Sequence, residues 1–514
     1  MKRYERITTL ICTLFVLFTL VACSAGGEPP ANPPSSTVVS TTPSSPTSEP
    51  EHSFTYLRFD LEDDPTSRWQ ETKLTFMDSE GNPLEGLEVS IDQVDLDFMF
   101  SNEYGDISLP DFTSTYEKNY WAMGLNTWRY GLYFLWFLLE PTENDFRWWV
   151  DYPAMVCGEI QVGEQETCTD EQWQKPNLPQ ERMERMFATA DMGLYPPNRQ
   201  NNINGGLIPA WTEPLDVDGK FREAYGDFLQ AAVTRYQGTI DIYRIGLESN
   251  LGNWNGGLEG KGYAWLVDWI KWQCDTIKAI DPHALISVDM IDMLNAFPEQ
   301  DPQTTDWSMI GTPNPMWETQ FAQLLIDAGA DFDLIGIEYH PGWNTSLEQV
   351  DWNLEQLEEF GKPIYIWEFF VPSGDEPEVL ENCTRQNVCP EEGYSEAFQS
   401  RMAVDFFQKI IEDHPSVVGI EYLSLVDNPN IDLGPGAPHS AGLLHLDGSP
   451  KQAYTAIRDY WYSLFYSGDL ITDPQGQVQF QTIPGWFKIS VDGSSLMVNI
   501  TRNTSGETIQ IPGP

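Results

Sequence analysis

From about Asp97 onward one unit recurs along the chain: a short β-branched or aromatic run, a loop, then an amphipathic stretch of helical period. Alternation of this kind calls for a parallel sheet with helices packed outside it. Candidate strands occupy residues 98–101, 127–130, 207–211, 240–247, 284–290, 334–339, 363–367 and 417–425, and helical patterns occupy 181–192, 221–236, 263–280, 317–328, 347–360, 395–413 and 453–464. Eight strands with intervening helices predict an α/β fold, a (β/α)8 barrel with enlarged loops. A doubly wound sheet is the alternative, but no Gly-rich phosphate turn follows the first strand.

The barrel is expected to span residues 97–466, between a small β element at 53–96 and another at 467–514. The first contains the turn Glu80-Gly81-Asn82-Pro83 between strand-like stretches, and the second alternates apolar and polar residues from Val478 to Ile511. Ahead of both, residues 1–23 have a basic start (Lys2, Arg3, Arg6), an apolar run and the ending Leu20-Val21-Ala22-Cys23, which reads as a secretory signal. That ending resembles the bacterial lipoprotein box. The resemblance implies export, lipidation of Cys23 and anchoring to the membrane surface through the N-terminus alone. Residues 24–52, dominated by Pro, Ser and Thr, read as an extended linker that holds the body away from the lipid.

Composition narrows the partners. With 78 Asp and Glu against 28 Lys and Arg, a formal charge of −50, the chain repels nucleic acid phosphates, so nucleic acid is excluded as a partner. An aromatic content of 13% excludes a disordered acidic chain and predicts a large core. Of seven cysteines, Cys12 lies in the signal and Cys274 in an amphipathic helix, where it reads as core. Cys157 and Cys168 bracket one polar loop and Cys383 and Cys389 another, so each pair is a candidate loop disulfide in an oxidising compartment. No CxxC or HExxH spacing occurs and the six histidines do not cluster. No metal or other cofactor is therefore expected, and the body is read as a monomer.

In a barrel of this kind chemistry belongs at the C-terminal ends of the strands, which share one mouth. The fourth candidate strand closes on Glu248 and the seventh on Glu368, each an acid after an apolar run. Two such carboxylates suit glycoside hydrolysis, one as proton donor to the leaving oxygen and the other as nucleophile on the anomeric carbon. A single strand-end Glu is more often a salt-bridge partner or a solvated acid; two at these positions are harder to dismiss. Around them, Tyr339 and His340 close the sixth strand, Asn250 and Trp254 follow Glu248, and Trp211, Trp343 and Trp367 lie at or just beyond strand ends. Aromatic faces beside amide donors suit a sugar, although any one of these tryptophans is more often core packing. Asp289, Asp292 and Asp427 are further strand-end acids, suited to orienting loops or to a cation, but in no calcium-loop spacing.

Several of these segments resemble a family. Asp333-Leu-Ile-Gly-Ile-Glu-Tyr-His340 is similar to the Asp-Gly-Ile-Gly-x-Gln-x-His strand of glycoside hydrolase family 10, the xylanase family of the clan A barrels. Pro363-Ile-Tyr-Ile-Trp-Glu368 resembles its nucleophile strand, Trp136-Phe-Leu-Leu-Glu140-Pro141 its Trp-x-x-x-Glu-Pro step, and Gly442 to Tyr454 its Pro-Lys closure. The resemblance runs from about Phe98 to Tyr460. It implies a retaining glycoside hydrolase acting on a β-linked polysaccharide, xylan- or glucan-like, with Glu368 as nucleophile and Glu248 as acid/base. It also adds Trp136 to the sugar-binding candidates. The chain departs from the pattern where Leu247 stands in place of the Asn that usually precedes the acid/base, where residues 131–136 replace a Glu-Asn and Lys-Trp cluster, and around Leu423 in place of a Trp. These departures keep open a second reading, a barrel lipoprotein that binds glycan without cleaving it.

Overall fold

A computed structural model describes residues 67–103, 119, 121–130, 136–146, 187–192, 208–215, 219–238, 240–251, 262–292, 316–342, 345–386, 388–427, 440–501 and 507–510. Cys23 and the signal and linker segments, Cys157, Cys168, Trp254 and Trp343 lie outside the described residues.

Two strands open the described chain, β1 (Gln70–Met77) and β2 (Glu88–Leu96). Eight more form a single sheet: β3 (Met99–Glu103), β4 (Thr127–Tyr130), β5 (Phe187–Asp191), β6 (Ile242–Ile245), β7 (Leu285–Ile291), β8 (Leu334–Glu338), β9 (Ile364–Phe369) and β10 (Val417–Leu423). Their order is β3-β10-β9-β8-β7-β6-β5-β4, and every pairing in it is parallel. The two ends of this order meet through Asn126, just before β4. Its N–H donates to the Phe100 carbonyl at 3.0 Å and its Oδ1 accepts from the Phe100 N–H at 2.8 Å. The sheet is a (β/α)8 barrel, as the strand–helix alternation predicts.

Helices cover the outside: α1 (Trp136–Leu139), α2 (Lys220–Tyr236), α3 (Tyr263–Ile280), α4 (Glu318–Asp327), α5 (Leu347–Glu358), α6 (Pro377–Gln386), α7 (Glu396–Asp413) and α8 (Gln452–Ser463). Their starts follow from local chemistry. Ser346 and Gln349 form a reciprocal capping box at α5, and the Ser395 hydroxyl accepts from the Phe398 N–H at α7. The longer helices bury an apolar stripe, as α7 does with Phe398, Phe406, Phe407, Ile410 and Ile411. Cys383 of α6 is joined to Cys389, and Cys274 is buried in α3.

One strand differs from the sequence expectation. The third barrel strand is β5, inside the stretch whose Met, Glu and Ala residues suggest a helix over 181–192. Phe187-Ala-Thr-Ala-Asp191 is instead buried along its whole length between β4 and β6, and pairing on both sides overrides the helix preference of its alanines. The expected strand at 207–211 gives way, past Pro209, to a single 3-10 turn at Ala210–Thr212.

The first two described strands pair with strands from the C-terminal part of the chain. β1 lies between β12 (Gln477–Thr482) and β15 (Glu507–Gln510), while β2 lies between β11 (Ser467–Ile471) and β13 (Gly485–Val491), which continues to β14 (Ser494–Ile500). Their alternating side chains enclose one core of Leu74, Phe76, Val89, Ile91, Phe480, Phe487 and Ile489, among others. Each such side chain contributes about 1.5–3 kcal/mol through burial. Arg68, just before β1, ties this module to the barrel by donating to the carbonyls of Ile411, His414 and Val417.

His414 stands at that junction with both ring nitrogens on carboxylates, Nδ1 at 3.1 Å from Glu358 and Nε2 at 3.0 Å from Asp351. Burial alone lowers its pKa, but Glu358 and Asp351 outweigh burial and the net shift is upward. A pKa raised above the unfolded value of about 6.5 gives stability that is complete below that value and is lost as pH rises through the folded pKa. Asp351 and Glu358 are both lowered, against burial, by Lys409 and His414 in one case and by His414 and Ser416 in the other. Their share is lost as pH falls through their folded pKa values. Urea unfolding is therefore expected to show His414→Gln costing about 2 kcal/mol at pH 6, with the deficit shrinking toward pH 9. A deficit independent of pH would assign the loss to packing alone.

Candidate active site

Alternation along the barrel strands sorts the inward side chains into two layers. The lower is apolar, built from Met99, Phe187, Ile242, Leu285, Leu334, Tyr365, Trp367 and Val418. Further along these strands, toward their C-terminal ends, the inward positions become charged, Arg244 two residues after Ile242 and Asp191, Asp289 and Glu338 four after Phe187, Leu285 and Leu334, with Arg129 and Glu421 buried beside them. A period of two puts them on the same face as the residues beneath them. Gly336 is required where it stands, because a Cβ there would lie 2.8 Å from the Trp367 ring and from Ser287 Oγ.

The charges are joined in a chain. Arg129 Nη1 contacts Glu421 at 2.5 Å and its Nη2 contacts Asp191 at 2.7 Å. Arg244 Nη1 contacts Glu368 Oε1 at 2.7 Å, while its Nη2 donates to both Asp289 Oδ2 at 2.7 Å and Glu338 Oε1 at 2.5 Å. The guanidinium lies over the Trp367 ring, 5.2 Å from its centroid.

Glu368 reaches this cluster through an irregularity. Between β9 and β10 the register passes from Ile366 opposite Ile420 to Phe369 opposite Tyr422, so β9 carries one extra residue. A bulge of this kind re-aims a side chain. Trp367 and Glu368 therefore both turn inward although they are neighbours, and Glu368 takes φ of 51°. Glu248 is placed similarly beyond β6. Gly246, with φ of 75°, ends the strand, and Glu248 has φ of 49° and donates its N–H to Asp289 Oδ2 at 3.2 Å. Left-handed backbone costs a glutamate of the order of 1–3 kcal/mol and is held only where surrounding structure fixes it.

The two acids are pushed in opposite directions. Burial raises the Glu368 pKa, but Arg244, assisted by Arg129, outweighs it and leaves the carboxyl below the usual range. Burial raises Glu248 well above that range, and the nearby charges of Glu368 and Asp289 add to the shift. Glu248 Oε2 is buried with no hydrogen-bond partner among the described residues. Burial also pushes the His340 pKa down to about 4, so its imidazole is neutral, stacked 4.1 Å from Phe370 and hydrogen-bonded to the Glu368 backbone.

The other sequence candidates are placed as follows. Trp367 is fully buried, and its N–H donates to Ser287 at 3.0 Å. Tyr339 points outward into the helix layer, its hydroxyl on Asn353 at 2.7 Å and its ring near Phe406. Asn250 is a buried strut whose amide donates to the carbonyls of Ile291 and Met316 and accepts from the Ile291 N–H. Trp136 is enclosed by Trp211, Phe221, Tyr225 and Phe228, its N–H on Glu140 at 2.8 Å. These four side chains are buried and engaged, so packing replaces the sugar-facing role expected of them. Trp211 alone among the described tryptophan candidates keeps exposed surface, with its N–H on the Glu140 carbonyl at 3.0 Å. Asp292 accepts from Thr345 and Asp427 pairs with Lys451 at 2.6 Å. Among the described residues no group of three or more His, Cys, Asp or Glu is arranged to hold a metal ion.

Sequence reasoning passed over Arg129, Asp191, Arg244, Glu338 and Glu421. Their signal is a lone charge within an otherwise apolar strand, as in Ile242-Tyr-Arg-Ile245 and Leu334-Ile-Gly-Ile-Glu338. Such a charge is costly to bury unless paired.

Residues 311–424, which contain β8, β9 and Glu368, match the model of glycosyl hydrolase family 53. Solved structures similar to the chain include xylanase 10B from Thermotoga maritima, at 15% identity and a TM-score of 0.47 over 71% of this chain and 95% of that one. Another is a thermostable mutant of the xylanase Xyn10A from Cellvibrio japonicus, at 13% identity and a TM-score of 0.47 over 71% and 97%. No curated protein matches the sequence. The family match relates the barrel to the glycoside hydrolases.

Proposed function

We propose that the barrel is a retaining glycosidase acting on a β-linked polysaccharide, with Glu368 as nucleophile and Glu248 as acid/base. One observation carries this reading: two strand-end glutamates reach one buried charge cluster, Glu368 on Arg244 and Glu248 on the Asp289 that Arg244 also holds, in surroundings that push their pKa values in opposite directions. A nucleophile must be ionised and a general acid must hold its proton at the same pH, and separated environments meet both needs at once. Arg244 keeps the Glu368 carboxylate charged and fixes one of its oxygens, leaving the other for the anomeric carbon. Glu248, without a hydrogen-bond partner for Oε2, is free to present its proton to the glycosidic oxygen. In the second half of the reaction the same carboxylate takes a proton from water that attacks the glycosyl–enzyme bond. The retaining outcome draws further support from the likeness of the Glu368 strand to the nucleophile strand of clan A barrels.

Glu248→Ala separates the two steps. Aryl β-glycosides with good leaving groups need no proton in the first step, so the variant is expected to form the glycosyl enzyme from them and then stall. Azide, which needs no general base, should speed the second step and give the β-glycosyl azide, while natural glycans remain uncleaved. Equal loss on good and poor leaving groups, with no effect of azide, would remove Glu248 from the acid/base role.

A further inference from the structure

Glu338 enters neither step of that mechanism, yet it is one of the most deeply buried charged groups in the barrel, 1% exposed. It lies on β8, the strand paired with the β7 of Asp289, and the two carboxyls meet at a single guanidinium nitrogen. Arg244 Nη2 gives one bond to each, which uses both of its N–H groups. The remaining oxygens, Asp289 Oδ1 and Glu338 Oε2, are buried without any donor among the described residues. Two ionised carboxylates cannot hydrogen-bond to each other, because each only accepts. A carboxylic acid facing a carboxylate can, and it supplies the donor that the pair lacks.

Charge counting points the same way. The groups that act on this pair are Arg244 and Glu248 from β6 and its extension and Glu368 from β9, and around Arg244, Glu368 and Glu421 of β10 stand Arg129 from β4, Asp191 from β5 and His340 beyond β8. Two guanidiniums cannot balance six further acids with Asp289 and Glu338 among them, and His340 is neutral. Burial raises both carboxyls of the pair. For Glu338 the charges of Glu368, Asp289 and Glu248 raise it further, whereas for Asp289 Arg244 offsets part of the rise.

We infer that Asp289 and Glu338 share one proton, carried by Glu338, and that this acid–carboxylate pair is a positioning device holding Arg244 against Glu368 and the Glu248 backbone in place. Asp289 is the common element: its Oδ2 accepts from both Arg244 Nη2 and the Glu248 N–H. A proton on Glu338 removes the repulsion that would otherwise push the two strand ends apart and draw Arg244 away from Glu368. The positioning role rests on the glycosidase reading; the shared proton does not.

The test compares Glu338→Gln with Asp289→Asn. Glutamine reproduces the neutral acid in charge and in having a donor, so both limbs of the kcat/KM pH profile are expected to stay within about 0.3 units of wild type even though kcat falls. Asparagine removes the charge of Asp289 but leaves Glu338 free to ionise in its place, so the pair keeps one negative charge and both limbs are expected to stay within about 0.3 units of wild type there as well. An acid shift of both limbs in Glu338→Gln would mean that Glu338 is ionised in the wild type and would overturn the inference. Infrared difference spectra read the proton independently of turnover. Beside the carboxylic acid C=O band of the protonated Glu248, a second such band present in wild type at pH 7 should be lost in Glu338→Gln, and also in Asp289→Asn, where the amide donates to a Glu338 now free to ionise. If the second band persists in Glu338→Gln, the inference fails even in an active enzyme. If the band behaves as expected while no glycoside is cleaved, the glycosidase reading fails and the shared proton stands.

Discussion

Glu368→Ala is expected to lower turnover of every β-glycoside by about 10⁴-fold or more while leaving the fold intact, because it removes the atom that forms the covalent intermediate. The side chain lies at the C-terminal end of β9 and is partly open to the mouth, 17% exposed, so its removal leaves little cavity strain. The methyl group leaves Arg244 Nη1 without its 2.7 Å partner, but Asp191 lies 3.8 Å from the same nitrogen and can compensate its charge. Azide is expected to enter the vacated space and attack the anomeric carbon from the same face, giving an azide of inverted configuration and no restoration of the natural product. The pattern is opposite to that of Glu248→Ala, in which azide gives retention. Measuring the anomeric configuration of both azide products by NMR assigns the two roles from one experiment. Glycoside cleavage at wild-type rates in Glu368→Ala would move the nucleophile elsewhere.

The sequence made some elements legible and concealed others for physical reasons. β8 and β9 are short β-branched runs, Leu334-Ile-Gly-Ile and Ile364-Tyr-Ile-Trp, so fully buried parallel strands announce themselves. β5 has no such run. Its two alanines and one threonine are buried between neighbouring strands, and local preference points the other way. Glu248 and Glu368 were legible because each is an acid following an apolar run. The aromatic residues were not, because a tryptophan near a strand end faces the mouth, the floor or the helices according to register alone. Trp367 shows the difficulty: strict alternation would place it and Glu368 on opposite faces, and only the bulge against β10 turns both inward. Tyr339 likewise differs from His340 by a single step of the pleat, which sends one to Asn353 and the other beneath Glu368.

Arg244→Met is expected to have the largest effect on stability, because one guanidinium serves Glu368, Asp289 and Glu338 directly and Asp191 at 3.8 Å. Arg244 is fully buried, and burial alone disfavours its charge; the surrounding carboxylates, Asp289 and Glu368 foremost, outweigh that and hold it protonated. Removing one partner of a buried ion pair costs about 3–5 kcal/mol, since the charges left behind remain desolvated. Here the carboxyls have an escape that a single pair lacks, which is to take up protons. Glu368, now lowered by Arg244, would rise above the ordinary carboxylate range in the variant, where burial and the neighbouring acids act unopposed. A folded state that binds more protons than the unfolded chain loses stability as pH rises. The deficit of Arg244→Met relative to wild type is therefore expected to grow between about pH 5 and pH 8, in urea unfolding followed at several pH values. Arg244→Lys should recover part of the stability, because it keeps a charge. It should recover little activity, because one ammonium cannot hold Glu368 on one side and the Asp289–Glu338 pair on the other. A deficit that is constant across this range would show that the carboxyls do not depend on Arg244 for their charge, and the electrostatic separation of Glu248 from Glu368 would then need another source.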